Sequence, residues 1–152
     1  MDEDEVTHTT DGQSEAVLRS AEEAKSRGND HFRAGDLEAA IRCYDEALHL
    51  LDALQFQMPS LRTTLLSNQA QVLLKQQKFE EAEAKATAAL VIDPANSKAI
   101  YRRGLARLQL KDGRGAWEDL QKALRLDPSN REARVRCDEA KQLMEATPVN
   151  ER

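Results

Sequence analysis

AEAKATAALVIDP (residues 82–94) and AWEDLQKALRLDP (residues 116–128) both end on an Asp-Pro pair, Asp93-Pro94 and Asp127-Pro128, 34 residues apart. Alanines recur at the same offsets in the two, Ala82 with Ala116 and Ala89 with Ala123, and large apolar residues follow at fixed positions, Leu90 and Ile92 with Leu124 and Leu126. A small residue at a fixed position lets two helices approach closely, and proline cannot continue a helix, so each stretch reads as a helix ended by its Asp-Pro pair. Further upstream the pattern has a third copy. Gly28, Ala40 and Ala47 match Ala70, Ala82 and Ala89, then Gly104, Ala116 and Ala123, with Leu48 and Leu50 at the apolar offsets. Turn signals divide the copies at Gly35-Asp36, at Gln77-Lys78 and at Lys111-Asp112-Gly113. Each unit is therefore a helix, a short turn and a second antiparallel helix. A period of this length predicts an array whose function lies on a groove rather than in an enclosed pocket.

One spacing departs from the period. The first copy starts near Ala21 and the second near Thr63, so 42 residues separate them, and the extra eight fall around Leu51 to Pro59. The second helix of the first copy is expected to run through Leu54, with Phe56, Met58 and Pro59 turning the chain in a lengthened connection. After Pro128 a further amphipathic helix, about 131–146, carries Ala133, Val135, Ala140 and Leu143 on one side, as a cap over the end of the array needs. The domain is thus expected over residues 17–147, with motifs at about 21–59, 60–94 and 97–128. Residues 1–16 cluster Asp2, Glu3, Asp4, Glu5 and Asp11 with too little apolar surface to hold a fold, and read as an acidic disordered tail. A sharper alternative is an acidic arm that folds back onto a basic site. Residues 148–152 read as a second short disordered tail.

At 40% hydrophobic but only 4% aromatic content, the core must be built from Ala and Leu, which suits packed helices. No stretch approaches the roughly 20 apolar residues of a membrane span, and no apolar signal core opens the chain. Cys43 and Cys137 are far apart and lack a partner at ligand spacing, so reduced, structural thiols are expected. His8, His31 and His49 have no nucleophile or carboxylate at the spacing of a triad or metal set. Lys111-Asp112-Gly113-Arg114-Gly115 lacks the strand and the Gly-Lys-Ser/Thr ending of a phosphate loop, and reads as a turn. No catalysis, cofactor or metal is expected.

The period, the small-residue positions and the Asp-Pro boundaries resemble a three-motif tetratricopeptide-repeat domain, over roughly Ala21 to Pro128. The resemblance implies an all-α fold, a right-handed superhelix of three helix-turn-helix motifs plus a C-terminal capping helix, whose first helices line a concave surface. On those helices Lys25 and Asn29 are four residues apart, hence stacked on one face, and Lys98 and Arg102 have the same spacing. Asn68 occupies the position of Arg102 one repeat earlier. In the order Lys, Asn, Asn, Lys, Arg, these five are similar to the carboxylate clamp of tetratricopeptide co-chaperones. That likeness implies capture of the free C-terminus of heat-shock protein 90 or heat-shock protein 70, which ends in Glu-Glu-Val-Asp. Lys25, Asn29 and Asn68 would bracket the main-chain carboxylate, and Lys98 and Arg102 would reach the Asp side chain. Ammonium and guanidinium groups supply charge-assisted bonds worth about 1.5 to 3 kcal/mol each, and the amides donate without adding charge. By the same resemblance, Phe32 and Leu74 help form an apolar pocket for the ligand's Val, and Lys75 meets an upstream carboxylate.

Lys25, Lys75, Lys98 and Arg102 would then face one groove on a protein of net charge -5, which favours an acidic ligand and disfavours nucleic acid. The expectation is a monomeric cytoplasmic, or nuclear, adaptor without membrane contact. A second reading is a scaffold that joins another complex through its groove or its last helix.

Overall fold

The computed structural model describes residues 3–54 and 58–147, with side chains from residue 12 onward. These residues form seven helices: α1 (Glu3–Ala34), α2 (Leu37–Asp52), α3 (Pro59–Lys75), α4 (Phe79–Ile92), α5 (Ser97–Gln109), α6 (Gly113–Leu126) and α7 (Arg131–Ala146). They pair as three helix-turn-helix motifs followed by one helix, as the repeat requires. The chain divides into two compact units, residues 1–65 and 66–152, and the division falls within α3.

The Asp-Pro pairs work as boundaries for identifiable reasons. Asp93 and Asp127 leave the helical region, as a residue before proline must, and each donates its N–H to the carbonyl four residues back, on Ala89 and Ala123. Their carboxylates turn forward and accept from the Ala95 and Ser129 N–H groups. Asn96 and Asn130 then cap α5 and α7 by accepting from Ala99 and Ala133. Inside the motifs, Asp36 and Asp112 cap α2 and α6. The residues at the three intramotif turns, Gly35, Gln77 and Lys111, all take positive φ, at 84°, 61° and 66°. Only Gly35 does so without steric cost.

The nine small residues of the repeat pattern are all buried. In the first unit, a Cβ on Gly28 would sit 2.6 Å from the Tyr44 ring. In the second, a Cβ on Gly104 would sit 2.9 Å from Leu120 Cγ. Residue 86, which holds the place of Tyr44 and Leu120 in the middle motif, is a buried alanine, and there the first-helix position carries Ala70 instead of glycine. Glycine thus stands where the facing helix has a large residue. Around Leu120 the second unit packs Leu108, Ala116, Ala133, Cys137 and Ala140, with Trp117 and Leu143 against them. Burial raises the Cys137 thiol above its usual pKa, and both cysteines are free.

Several expectations need correcting. Residues 3–16 are helical, because α1 begins at Glu3. Scarcity of apolar surface argues against packing, but extending a helix already formed on the packed segment beyond Ala21 carries no nucleation cost. Gly12, Gln13, Glu15 and Ala16 are accordingly exposed on it. At 1.5 Å per residue, the backbone of Asp11 lies about 20 Å along the axis from Lys25, so the arm leads away from Lys25 instead of folding back. Helix α2 ends at Asp52, two residues short of Leu54, and Pro59 opens α3 instead of belonging to the turn, a position where its missing N–H costs nothing. Phe56 and the tail at 148–152 fall outside the described residues. Val135 is 51% exposed. It lies two residues, or about 200°, around α7 from Ala133, whereas Ala133, Cys137 and Ala140 share the buried face.

Candidate functional site

In the first unit, α1 places Lys25 and Asn29 one turn apart, both half-buried. The half-buried Lys25 ammonium meets Oε2 of the exposed Glu22 at 3.2 Å, a pair within the helix. Asn29 is held from α2: the hydroxyl of Tyr44, a residue 2% exposed, donates to Asn29 Oδ1 at 2.6 Å. Gly28 makes that reach possible, since any side chain there would occupy the space of the Tyr44 ring. Phe32, one turn beyond Asn29, is half-buried on α1.

In the second unit, α3 and α5 line an open cavity of about 270 Å³. Leu74, Tyr101 and Leu105 supply its apolar wall, and Lys75, Lys98 and Arg102 its charge, with Gln71 beside them. Four of the residues picked out in the sequence, Leu74, Lys75, Lys98 and Arg102, are therefore brought together. Lys75 and Lys98 are exposed, while Arg102 is half-buried and anchored. Its Nη1 donates to the Ser67 carbonyl at 2.9 Å and to Ser67 Oγ at 2.8 Å, and Ser67 itself is 3% exposed. Asn68, next to Ser67 on α3, is half-buried. Burial, then the Glu132 carboxylate, raises the Tyr101 phenol above its ordinary pKa against the opposing Arg136 and Arg102.

The second unit also contains an ion network in which Arg103 grips Asp119 through two bonds of 2.9 Å. Arg107 adds a third at 3.1 Å and reaches Glu83 at 2.9 Å. The Asp119 side chain is 6% exposed, and its bond raises the Arg103 pKa further above its usual value.

Tyr44, Ser67, Gln71, Tyr101 and Leu105 were not singled out in the sequence. The repeat register could have found four of them. Lys25 corresponds to Ser67 and Tyr101 in the next two motifs, and Asn29 corresponds to Gln71 and Leu105. Tyr44 reads as core, and only its hydroxyl bond reveals a second task.

Residues 67–134 match the tetratricopeptide repeat family. The first tetratricopeptide domain of Spaghetti (RPAP3), solved bound to the HSP90 peptide SRMEEVD, is 30% identical with a TM-score of 0.74, covering 84% of this chain and 98% of that one. This chain belongs to the tetratricopeptide-repeat family. The second such domain of human RPAP3, solved with the HSP70 peptide SGPTIEEVD, is 34% identical with a TM-score of 0.69, over 84% of this chain and 98% of that one. Human FK506-binding protein-like is 43% identical over 115 residues, which is 74% of this tetratricopeptide chain and 32% of the relative. The chain spans about a third of the length of that relative and of its mouse and rat counterparts.

Proposed function

We propose that this chain is a non-catalytic co-chaperone adaptor that binds the free C-terminal Glu-Glu-Val-Asp tail of heat-shock protein 90, heat-shock protein 70 or both. Lys25 and Asn29 of the first unit, and Asn68, Lys98 and Arg102 of the second, make the carboxylate contacts. The observation that carries this reading is the cavity of the second unit, where three cations surround an apolar wall on a protein of net charge -5. A peptide that alternates carboxylates with an aliphatic side chain complements it: Leu74, Tyr101 and Leu105 take the apolar side chain, and Lys75, Lys98 and Arg102 the acids. Anchorage of Arg102 by Ser67 lowers the entropy lost when the guanidinium binds. Structures of relatives with peptides ending in Glu-Glu-Val-Asp support the same ligand class. The resemblance to the co-chaperone clamp assigns Phe32 an accessory contact with the ligand, and the adaptor acts in the cytoplasm or nucleus.

The test is a fluorescence-anisotropy titration with labelled SRMEEVD, beside the Lys98→Ala variant. Micromolar binding by the wild type, weakened at least about tenfold by Lys98→Ala with an unchanged melting temperature, is the expected result, because Lys98 is exposed and removing it takes away a contact without disturbing packing. Equal binding by the two proteins overturns the reading.

A further inference from the structure

Helices α5 and α7 carry corresponding residues one repeat apart. Lys98, Tyr101, Arg102 and Leu105, which line the cavity from α5, correspond to Glu132, Val135, Arg136 and Glu139 on α7. Offsets of i, i+3, i+4 and i+7 put each set on one face of its helix. The α7 face borders the cavity through Tyr101, which packs against the core cluster holding Ala133, Cys137 and Ala140 and feels the charges of Glu132 and Arg136. The cations of α5 are not repeated there. Glutamate stands in the place of Lys98, and Arg136 is taken by Glu132 at 2.7 Å and by Glu139 at 2.6 Å. What α7 adds is apolar: Val135, 51% exposed, holds the position at which α5 presents the Tyr101 ring.

The peptides SRMEEVD and SGPTIEEVD both place an apolar residue, Met or Ile, directly before the two glutamates and three residues before the Val. In the extended left-handed conformation common in unfolded chains, three residues make one turn and span about 9 Å, so that residue and the Val point to the same side. Packed helices lie about 8 to 10 Å apart. With the Val seated on Tyr101 and Leu105, the upstream apolar residue therefore lies over the next helix. Leu74 of α3 already belongs to the Val site, which leaves α7.

We propose that this face of α7 continues the groove, and that Val135 takes the apolar side chain directly before the two glutamates of the tail. This inference rests on the tail-binding reading above and adds a subsite that reads beyond the last four residues of the ligand.

The measurement is calorimetric titration of wild type and Val135→Ser with SRMEEVD and with SRAEEVD, in which alanine replaces the methionine. In wild type the replacement should weaken binding by roughly fivefold to tenfold, as expected for shielding one to two methylene groups from water. Val135→Ser changes an exposed side chain and should melt as wild type does. It should bind SRMEEVD about threefold to fivefold more weakly than wild type and distinguish the two peptides by less than about twofold. A methionine contribution of the same factor in both proteins, or none in wild type, overturns the proposal while leaving tail binding intact. Should neither peptide bind the wild type, the tail-binding reading fails, and this inference with it. Lys98→Ala separates the cavity from α7: it should weaken both peptides and preserve the wild-type ratio between them. A ratio that collapses in Lys98→Ala as it does in Val135→Ser would place the methionine in the cavity, and overturn the assignment to α7.

Discussion

The first and third motifs share a packing device and differ in their polar chemistry. Each sets a glycine of its first helix against a large residue of its second, Gly28 against Tyr44 and Gly104 against Leu120. In the first motif the large residue carries a hydroxyl that reaches the candidate contact residue Asn29. In the third it is purely apolar, and the polar link is made beside it, where Arg103 and Arg107 converge on Asp119. The arginine in the position of Arg103 two motifs earlier, Arg27, pairs with Glu46 at 3.0 Å, but its side chain is 55% exposed and its partner's is 54% exposed. Equivalent arginines thus hold an ion pair in both motifs, with acids from different repeat positions, and burial decides what each pair contributes.

Asp119→Ala should break this comparison most visibly. It leaves two half-buried guanidinium groups without their shared carboxylate, and we expect a loss of about 2 to 4 kcal/mol in urea unfolding, at the lower end of buried pairs because both arginines retain some solvent. Glu46→Ala removes the exposed counterpart and should cost less than about 1 kcal/mol. Equal losses would show that burial does not separate the two pairs.

Gly28→Ala and Gly104→Ala should each cost about 1 to 3 kcal/mol, because the added methyl meets a buried side chain that has little room to move. Gly28→Ala should also weaken tail binding, since it pushes Tyr44 away from Asn29, whereas Gly104→Ala lies against Leu120 and should affect stability alone. A binding loss of the same size in both variants would remove the distinction between the two glycines. The smallest effect is expected at the turns. Gln77→Gly relieves the positive φ that Gly35 adopts freely, and should raise stability by about 0.5 kcal/mol, the steric relief being partly offset by a freer unfolded chain. A lower melting temperature would count against that account.

Much of this was legible in the sequence. The Asp-Pro pairs and the nine small positions placed the motifs, and the i, i+4 spacing placed Lys98 and Arg102, which the structure sets beside Leu74 and Lys75. Three things were not. The helical state of residues 3–16 follows from continuity with a packed helix, which composition does not report. The exposure of Val135 follows from the rotation of α7, and a count of apolar residues on a short helix leaves that open. The bond from Tyr44 to Asn29 is carried by one hydroxyl on a residue whose ring is core, and sequence pattern registers the ring alone. Ser67, Gln71, Tyr101 and Leu105 were within reach, because they repeat the register of Lys25 and Asn29.

The central claim is recognition of a free acidic C-terminus. Calorimetric titration of the wild-type chain with SRMEEVD as the free acid and as the C-terminal amide tests it most directly. The account predicts micromolar affinity for the acid and loss of most of it on amidation. Equal affinity for the two peptides, or no binding of either, would contradict it.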